Sequence, residues 1–218
     1  MMRFTVSPVR WLAPLFAAAL LLAPPAVLAQ PVSVEEGKQY LRIKNPQPVE
    51  TGKKIEVIEF FSYGCPHCGD LEPVLQGWLK NLPADVQFRR VPVMFQDRWI
   101  GYAKVYYTLD ALGVEAKLSP AVFSTIHGRG GNLWQDKAFF DWAAGQGLDR
   151  KAVEEMYASF AIAGKVKRAQ LAAQAYGIQS VPVAIVDGKF TTKDVPHAAM
   201  PAVLDAMIAK ARAERPKS

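Results

Sequence analysis

The sequence predicts an α/β protein in which a central mixed sheet is flanked by helices and an all-helical domain is inserted. Apolar runs with strand character at 53–63, 86–95 and 181–192 are separated by segments whose apolar residues recur three and four positions apart. A block of helical segments follows the second run over 97–163, and one further helix precedes the third run. Without that block, the order is β-α-β followed by β-β-α.

The first of these runs, KKIEVIEFFSY at 53–63, is apolar on both faces, as expected of a central strand in a sheet covered on both sides. Gly64 ends it, and the stretch CGDLEPVLQGWLKNL continues with helical spacing. The run VQFRRVPVMF at 86–95 is predicted to be the next strand. A short helix or strand is expected earlier, around EEGKQYLRI.

The inserted block is predicted to contain several helices, each with its own N-cap candidate. Ser119 followed by Pro120 is predicted to be an N-cap with proline at the first helical position. Asp136 and Asp149 each precede an apolar periodic segment and are likewise predicted N-caps. Trp99 and Tyr102, at helical spacing, are expected to be core residues rather than the lining of a substrate groove.

The last third of the chain predicts a helix ending at Gly177, then a hairpin and a closing helix. Asp187-Gly188 between two apolar runs is a strong hairpin signal. The resulting order is that of a thioredoxin-like fold, in which a C-x-x-C at a strand-to-helix junction is a redox signature. The predicted divisions are 30–96 and 164–218 for this fold and 97–163 for the helical domain.

The first 29 residues predict a secretory signal peptide. Arg3 and Arg10 precede an uncharged apolar run, and Val27 and Ala29 suit cleavage after Ala29. An uncleaved anchor is the alternative, but the prolines in this run leave it short for a segment that needs about 20 residues to span a membrane. The sequence therefore predicts export to an oxidising compartment.

The charge pattern argues against nucleic-acid binding. Without residues 1–29, which carry two arginines and no acidic residue, the formal net charge falls from +6 to +4. The remaining basic residues are scattered, with no dense run interleaved with aromatic residues.

Cys65 and Cys68 are the only cysteines in 218 residues, and they form a C-P-H-C sequence. A structural disulfide would close so small a loop that it would constrain the unfolded chain little. Zinc would need two further ligands, and the other histidines, His127 and His197, do not form a ligand-spaced pair. His127 is expected to be a loop residue. Thiol–disulfide exchange is therefore the favoured interpretation of the pair, and no metal site is predicted.

The position of the pair indicates which sulfur reacts. Cys65 would open a helix, where unpaired backbone N–H groups and the helix dipole favour a thiolate. Pro66 suits the first turn, and His67 can bring a partly positive ring close to the sulfur. Cys68, one turn further in, is expected to be more buried and to resolve mixed disulfides.

The motifs FFSYGCPHC, EPVL, ALGVE and VPVAIVDGKF resemble the DsbA family of periplasmic thiol:disulfide oxidases over most of the mature chain. Pro-His between the cysteines is typical of these oxidases, whereas thioredoxins usually carry Gly-Pro. DsbA is itself a standard example of a cysteine whose lowered pKa makes the disulfide oxidising. The oxidising direction is therefore an implication of this resemblance.

The resemblance gives three further residues a role. Val181 and Pro182 match the cis-proline loop that faces the disulfide, where the backbone of Val181 would bind substrate. From the sequence alone, an ordinary trans proline would be favoured. Glu59 matches the buried acid beneath the disulfide, where it could relay the proton of Cys68. The alternative is a strand-end acid that reaches water or pairs with a lysine.

The resemblance implies a monomeric periplasmic enzyme that oxidises newly exported proteins through its Cys65–Cys68 disulfide. It needs no dissociable cofactor and would be reoxidised by a DsbB-type membrane quinone reductase. Two alternatives remain. One is a reductase or isomerase on the same scaffold. The other is a non-catalytic periplasmic module that binds a metal or peptide with the same thiols.

Overall fold

The computed structural model describes Met1, Met2 and residues 34–215 of the chain. The apolar part of the predicted signal peptide and its cleavage position after Ala29 lie outside the described residues. The last residues of the tail, 216–218, do so as well.

One mixed sheet of five strands organises the part of the chain from 34 to 215. Its spatial order is β1-β5-β4-β2-β3, with β2 parallel to β3 and the other neighbours antiparallel. The short element expected near the N-terminus is strand β1. The strands are β1 Tyr40–Arg42, β2 Ile55–Phe61, β3 Val86–Pro92, β4 Val183–Val186 and β5 Phe190–Thr192.

Seven α-helices accompany this sheet within the described residues. They are α1 Pro66–Leu79, α2 Asp97–Ala111, α3 Glu115–Phe123, α4 Asp136–Gly145, α5 Arg150–Ala158, α6 Phe160–Ala175 and α7 Met200–Glu214.

Strand β2 is buried along its whole length because helices cover both faces of the sheet. Ile55 and Val57 pack in a cluster with residues of α1 and α7. Ile58 and Phe60 point the other way, into a cluster with Ala169 of α6. This alternation explains why the sequence of β2 is apolar on both faces.

Helices α2 to α5 enclose an aromatic core that reaches the cysteines. Phe61 and Tyr63, at the end of β2, belong to the same cluster as Tyr106 of α2, Phe123 of α3 and Phe139 of α4. The helices α2–α5 lie within the predicted insertion at 97–163, and α6 begins just before its predicted end. The domain boundaries themselves remain a prediction.

Two predicted helix starts are wrong. Helix α3 begins at Glu115 and runs through Ser119 and Pro120. Ser119 therefore lies inside the helix, where its hydroxyl donates to the Glu115 side chain one turn earlier instead of capping. Asp136 is the first residue of α4, after an N-cap at Gln135. Asp149 is the N-cap of α5, as predicted, and accepts from the Ala152 N–H at 2.7 Å.

The predicted hairpin joins β4 to β5. Asp187 and Gly188 both have positive φ, 54° and 65°, as a two-residue hairpin turn requires. Along the described part of the chain, no helix is long and apolar enough to cross a membrane.

Candidate active site

Cys65 and Cys68 lie where β2 passes into α1. Cys65 is the N-cap residue of α1 with extended backbone, and Pro66 follows in the first turn. Ser62 stabilises the turn between β2 and α1, because its carbonyl accepts from the Cys65 N–H and its hydroxyl accepts from the Gly64 N–H. The predicted strand-to-helix position of the pair is therefore confirmed.

The two sulfurs have unlike surroundings. Cys65 is 6% exposed, whereas Cys68 is completely buried. Both are free thiols, so the geometry describes the dithiol form. A disulfide formed between them would present Cys65 to an attacking thiolate and keep Cys68 shielded.

Hydrogen bonds lower the pKa of Cys65 from its ordinary value of 9.0 to about 6. The Cys68 thiol contributes most, and the backbone N–H groups of Cys68 and His67 add to it. Burial opposes this shift, and the charge of the His67 ring makes a smaller contribution. The helix N-terminus thus stabilises the thiolate mainly through donors aimed at the sulfur.

The pKa of Cys68 is raised, first by burial and then by its hydrogen bond to Cys65 and the nearby charge of Glu59. A sulfur in this position strongly favours the protonated thiol. Near neutral pH, the dithiol form therefore consists of a Cys65 thiolate and a Cys68 thiol.

His67 lies mostly in solvent, with 76% of its side chain exposed. Its Nδ1 is 3.9 Å from Asp70 Oδ2, and its ring centroid is 6.2 Å from that of His197. His197 belongs to the short helical turn before α7. In the sequence, His197 stood out only as a possible zinc ligand, and no local pattern places it near the cysteines.

The Val181–Pro182 peptide bond is cis, as the resemblance implied. The carbonyl oxygen of Val181 lies 3.6 Å from Cys65 Sγ, so the loop before β4 faces the reactive sulfur directly. Its role in binding substrate remains a prediction.

Glu59 is buried within β2, with 3% of its side chain exposed. It neither reaches water nor pairs with a lysine; it accepts from Arg90 Nε at 2.8 Å. Burial raises the pKa of Glu59 to about 7, although Arg90 pulls it down. A carboxyl group with this pKa can hold or release a proton near neutral pH.

Arg90 is a residue of this site that the sequence analysis missed. The parallel register of β2 and β3 places it directly beside Glu59. Its guanidinium also donates to Glu72 at 2.6 Å and to Glu115 at 2.9 Å, so one buried cation is shared by three carboxylates. The available signal in the sequence was a pair of arginines, Arg89 and Arg90, between the apolar residues of a strand.

His127 was expected in a loop, and that expectation is wrong. It lies in a π-helical turn, Ser124–Gly128, that continues α3. Its Nε2 is 2.8 Å from the Tyr63 carbonyl oxygen, and its ring stacks on Phe123. This contact ties the end of α3 to the chain segment just before Cys65.

Three clefts border the C-P-H-C segment. One, of about 500 Å³, borders Cys65 and is walled by Trp99 and Tyr102. Both side chains are buried in the core as predicted, but they also line this cleft, which the prediction did not expect. A second, of about 560 Å³, lies along Val181 and Pro182. A third, of about 650 Å³, runs between α1 and α3 from Pro66.

No group of three or more His, Cys, Asp or Glu side chains within residues 34–215 is arranged to hold a metal ion. The cysteine pair therefore has no further metal ligands of these types among the residues that the structure describes.

A thioredoxin-like sheet with a C-x-x-C at the start of its first main helix defines a thiol:disulfide oxidoreductase. The DSBA-like thioredoxin domain family matches residues 86–207. The chain belongs to this DsbA family, and the resemblance found in the sequence is confirmed.

Individual members of the family match this chain over most of their own length. The chain is 39% identical to the thiol:disulfide interchange protein DsbA of Burkholderia cepacia, over 75% of this chain and 78% of that protein. It is 37% identical to the thiol:disulfide interchange protein DsbA of Bordetella parapertussis, over 89% of this chain and 95% of that protein. The crystal structure of Pseudomonas aeruginosa DsbA superposes with a TM-score of 0.75 at 39% identity, over 81% of this chain and 94% of that one. The predicted fold class is confirmed.

Proposed function

We propose that the protein donates its Cys65–Cys68 disulfide to newly exported proteins in the periplasm, as a monomer without a dissociable cofactor. The observation that carries the proposal is the asymmetry of the two sulfurs. Cys65 borders a cleft with a small exposed fraction and a lowered pKa, whereas Cys68 is completely buried with a raised pKa. An asymmetric pair of this kind accepts attack at one sulfur only.

In the proposed reaction, a client thiolate attacks Cys65 Sγ and forms a mixed disulfide. The Cys65–Cys68 bond breaks, and Cys68 leaves with the electron pair. Because the pKa of Cys68 is raised, this sulfur needs a proton, which a protonated Glu59 can supply. Glu59 and Cys68 thus exchange a proton without solvent access.

The client's second thiolate then attacks the client sulfur of the mixed disulfide. Cys65 departs as a thiolate, which its low pKa makes a good leaving group. The client is oxidised by two electrons, and the enzyme is left as a dithiol. A DsbB-type membrane quinone reductase would then restore the disulfide.

The loop at Val181 and Pro182 is proposed to hold the client during this exchange. The Val181 carbonyl already faces Cys65 Sγ at 3.6 Å, where an extended client backbone could pair with it. Recognition through backbone groups would suit many unrelated clients.

Equilibration with glutathione redox buffers tests the direction of electron flow. The proposal predicts a potential well above that of the glutathione couple, and a potential as reducing as that of thioredoxin would overturn it. With a one-cysteine peptide supplied as its disulfide-linked dimer, the Cys65 thiolate of Cys68→Ala should attack the peptide disulfide, release one peptide thiolate and accumulate the mixed disulfide that Cys68 can no longer resolve, whereas Cys65→Ala should not. Stoichiometric zinc or copper bound by the two cysteines in the purified protein would favour the metal-binding alternative.

A further inference from the structure

The carboxylates around Arg90 outnumber the positive charge that they share. Glu59, Glu72 and Glu115 each accept one hydrogen bond from a different nitrogen of the guanidinium, at 2.6 to 2.9 Å. If all three were ionised, this largely buried group would carry a net charge of −2. Since unpaired buried charge is costly, the arrangement favours a proton on one carboxyl group.

The surroundings of Glu59 identify it as the carboxyl group that takes the proton. Beyond Arg90, Glu59 borders a very small cavity whose other lining side chains, from α1, β3, the cis-proline loop, β4 and α7, are all apolar. Glu72 has an additional donor in the Gln76 amide, at 2.9 Å. Glu115 has an additional donor in Ser119. Glu59, by contrast, accepts a hydrogen bond from Arg90 alone among the residues that the structure describes.

Glu115 comes from α3 and is anchored from a second direction. Ser119 Oγ donates its one proton to Glu115 Oε1 at 2.5 Å. The Tyr63 hydroxyl, 2.5 Å from the same Ser119 oxygen, must therefore be the donor in that contact. A continuous series of hydrogen bonds thus runs from Tyr63, two residues before Cys65, through α3 to Arg90.

The other titratable or charged groups that face this cluster are few. Tyr106 of α2 donates its hydroxyl to the Arg90 carbonyl at 3.3 Å, and burial raises the pKa of Tyr106 well above its ordinary value. Cys68 of α1 lies close enough for the Glu59 charge to raise its pKa. Within the described residues, the titratable and charged groups of the cluster and of the elements packed around it are therefore Glu59 of β2, Tyr63 just after β2, Arg90 of β3, Cys68 and Glu72 of α1, Tyr106 of α2 and Glu115 of α3.

We propose that Glu115 is a positioning residue for thiol–disulfide exchange. By binding one edge of Arg90 with a full negative charge, it prevents Arg90 from neutralising Glu59 and so keeps a proton on Glu59 beside Cys68. This inference rests on the proposed role of Glu59 as the proton partner of Cys68. As a consequence, a residue of helix α3, which lies outside the C-P-H-C motif, sets the protonation state of Glu59 beneath that motif.

Glu115→Gln separates the charge of this residue from its hydrogen bonds. The amide oxygen can still accept from Arg90 and Ser119, so the local structure should persist while one negative charge is lost. Arg90 is then shared by two carboxylates, and the proton affinity of Glu59 should fall about tenfold. The titration midpoint of Glu59 should move to lower pH.

The measurement is ¹³C NMR of reduced protein labelled at the glutamate side-chain carboxyl carbons, with the Glu59 signal assigned by its loss in Glu59→Gln. Glu155→Gln is the matched control, because Glu155 is exposed on α5 and forms an ion pair with the exposed Lys151, away from the Arg90 cluster. The control should leave the Glu59 titration unchanged. Glu115→Asp keeps the charge and should titrate close to the unsubstituted protein.

A Glu59 titration that does not move in Glu115→Gln would overturn the inference. So would a Glu115→Asp variant that behaves like Glu115→Gln, because charge would then not be the cause. The proposed function fails in a different way: the Glu59 midpoint would move as expected, yet the pH profile of client oxidation would be the same in Glu59→Gln. The NMR and activity readouts therefore distinguish the two.

Discussion

The low pKa of Cys65 should make the stability of the reduced protein depend on pH. The pKa of this thiol falls from 9.0 to about 6 on folding. A group whose pKa is lowered by folding contributes stability that is complete above the unfolded value and is lost as the pH falls through the folded value. The window for Cys65 therefore lies between pH 9 and pH 6.

The size of the effect follows from these two pKa values. At pH 7, the Cys65 thiolate should stabilise the reduced form by about 1.4 kcal/mol, and by pH 5 the contribution should fall to about 0.1 kcal/mol. The disulfide form has no thiolate, so the stabilisation belongs to the reduced form alone. For a two-electron couple, about 1.4 kcal/mol corresponds to about 30 mV of additional oxidising potential.

Urea denaturation of the reduced protein at pH 5 and pH 7, with and without Cys65→Ser, measures this contribution. The difference between the two proteins cancels most other titrations, including that of Glu59, whose raised pKa acts in the opposite direction. The difference should grow by about 1.4 kcal/mol between pH 5 and pH 7. The ultraviolet absorbance of the thiolate should titrate with a midpoint near pH 6.

A thiolate midpoint at about pH 8 or above would refute this reasoning, because that is close to the value for a free cysteine. A stability difference that stays constant between pH 5 and pH 7 would refute it as well. Cys68→Ala provides an internal check. It removes the hydrogen bond that contributes most to the shift, so the Cys65 midpoint should rise in that variant.

Substitutions at four further positions test the site and the fold. Glu59→Gln should remove a step near pH 7 from the pH dependence of exchange, measured as the rate of mixed-disulfide formation; an unchanged profile for both cysteines would exclude Glu59 from the mechanism. Gly64→Ala should lower the free energy of unfolding by ~1–3 kcal/mol, because its Cβ would lie 2.5 Å from Trp99 Nε1. Gly77→Ala, with nothing within 4 Å of its Cβ, should instead raise it by ~0.5–1 kcal/mol in the same urea experiment, and equal effects of the two would contradict this reasoning. Asp149→Ala should lower the free energy of unfolding by ~1 kcal/mol, because the N-cap of α5 is lost. Asp149→Asn can still accept from the Ala152 N–H and should lower it little. A similar loss in both variants would show that this hydrogen bond is not the cause.

The predictions that were confirmed depend on neighbouring residues in the chain. The strand, Gly64 and the helical spacing after it place Cys65 at a helix start, and Asp187-Gly188 specifies its own turn. Ser119 shows the limit of local signals. Its sequence context matches an N-cap, but burial beside Tyr63 and Glu115 offers the hydroxyl better partners than the backbone of its own helix.

Arg90 and His127 could not be assigned in this way, because their partners lie far away in the sequence. Arg90 meets Glu59 only through the parallel register of β2 and β3, and it meets Glu115 only because α3 packs against that region. His127 contacts the Tyr63 carbonyl from 64 positions away. Local periodicity carries no information about such contacts.

The sequence by itself determined the order of the elements, the cysteine pair at a strand-to-helix junction and the resemblance to DsbA, since these depend on local patterns and motifs. Only the tertiary structure decided how protons are distributed around the pair. The pKa values of Cys65, Cys68 and Glu59 depend on burial and on donors and charges brought together by folding. The cluster of Arg90 with three carboxylates exists only in that packed arrangement.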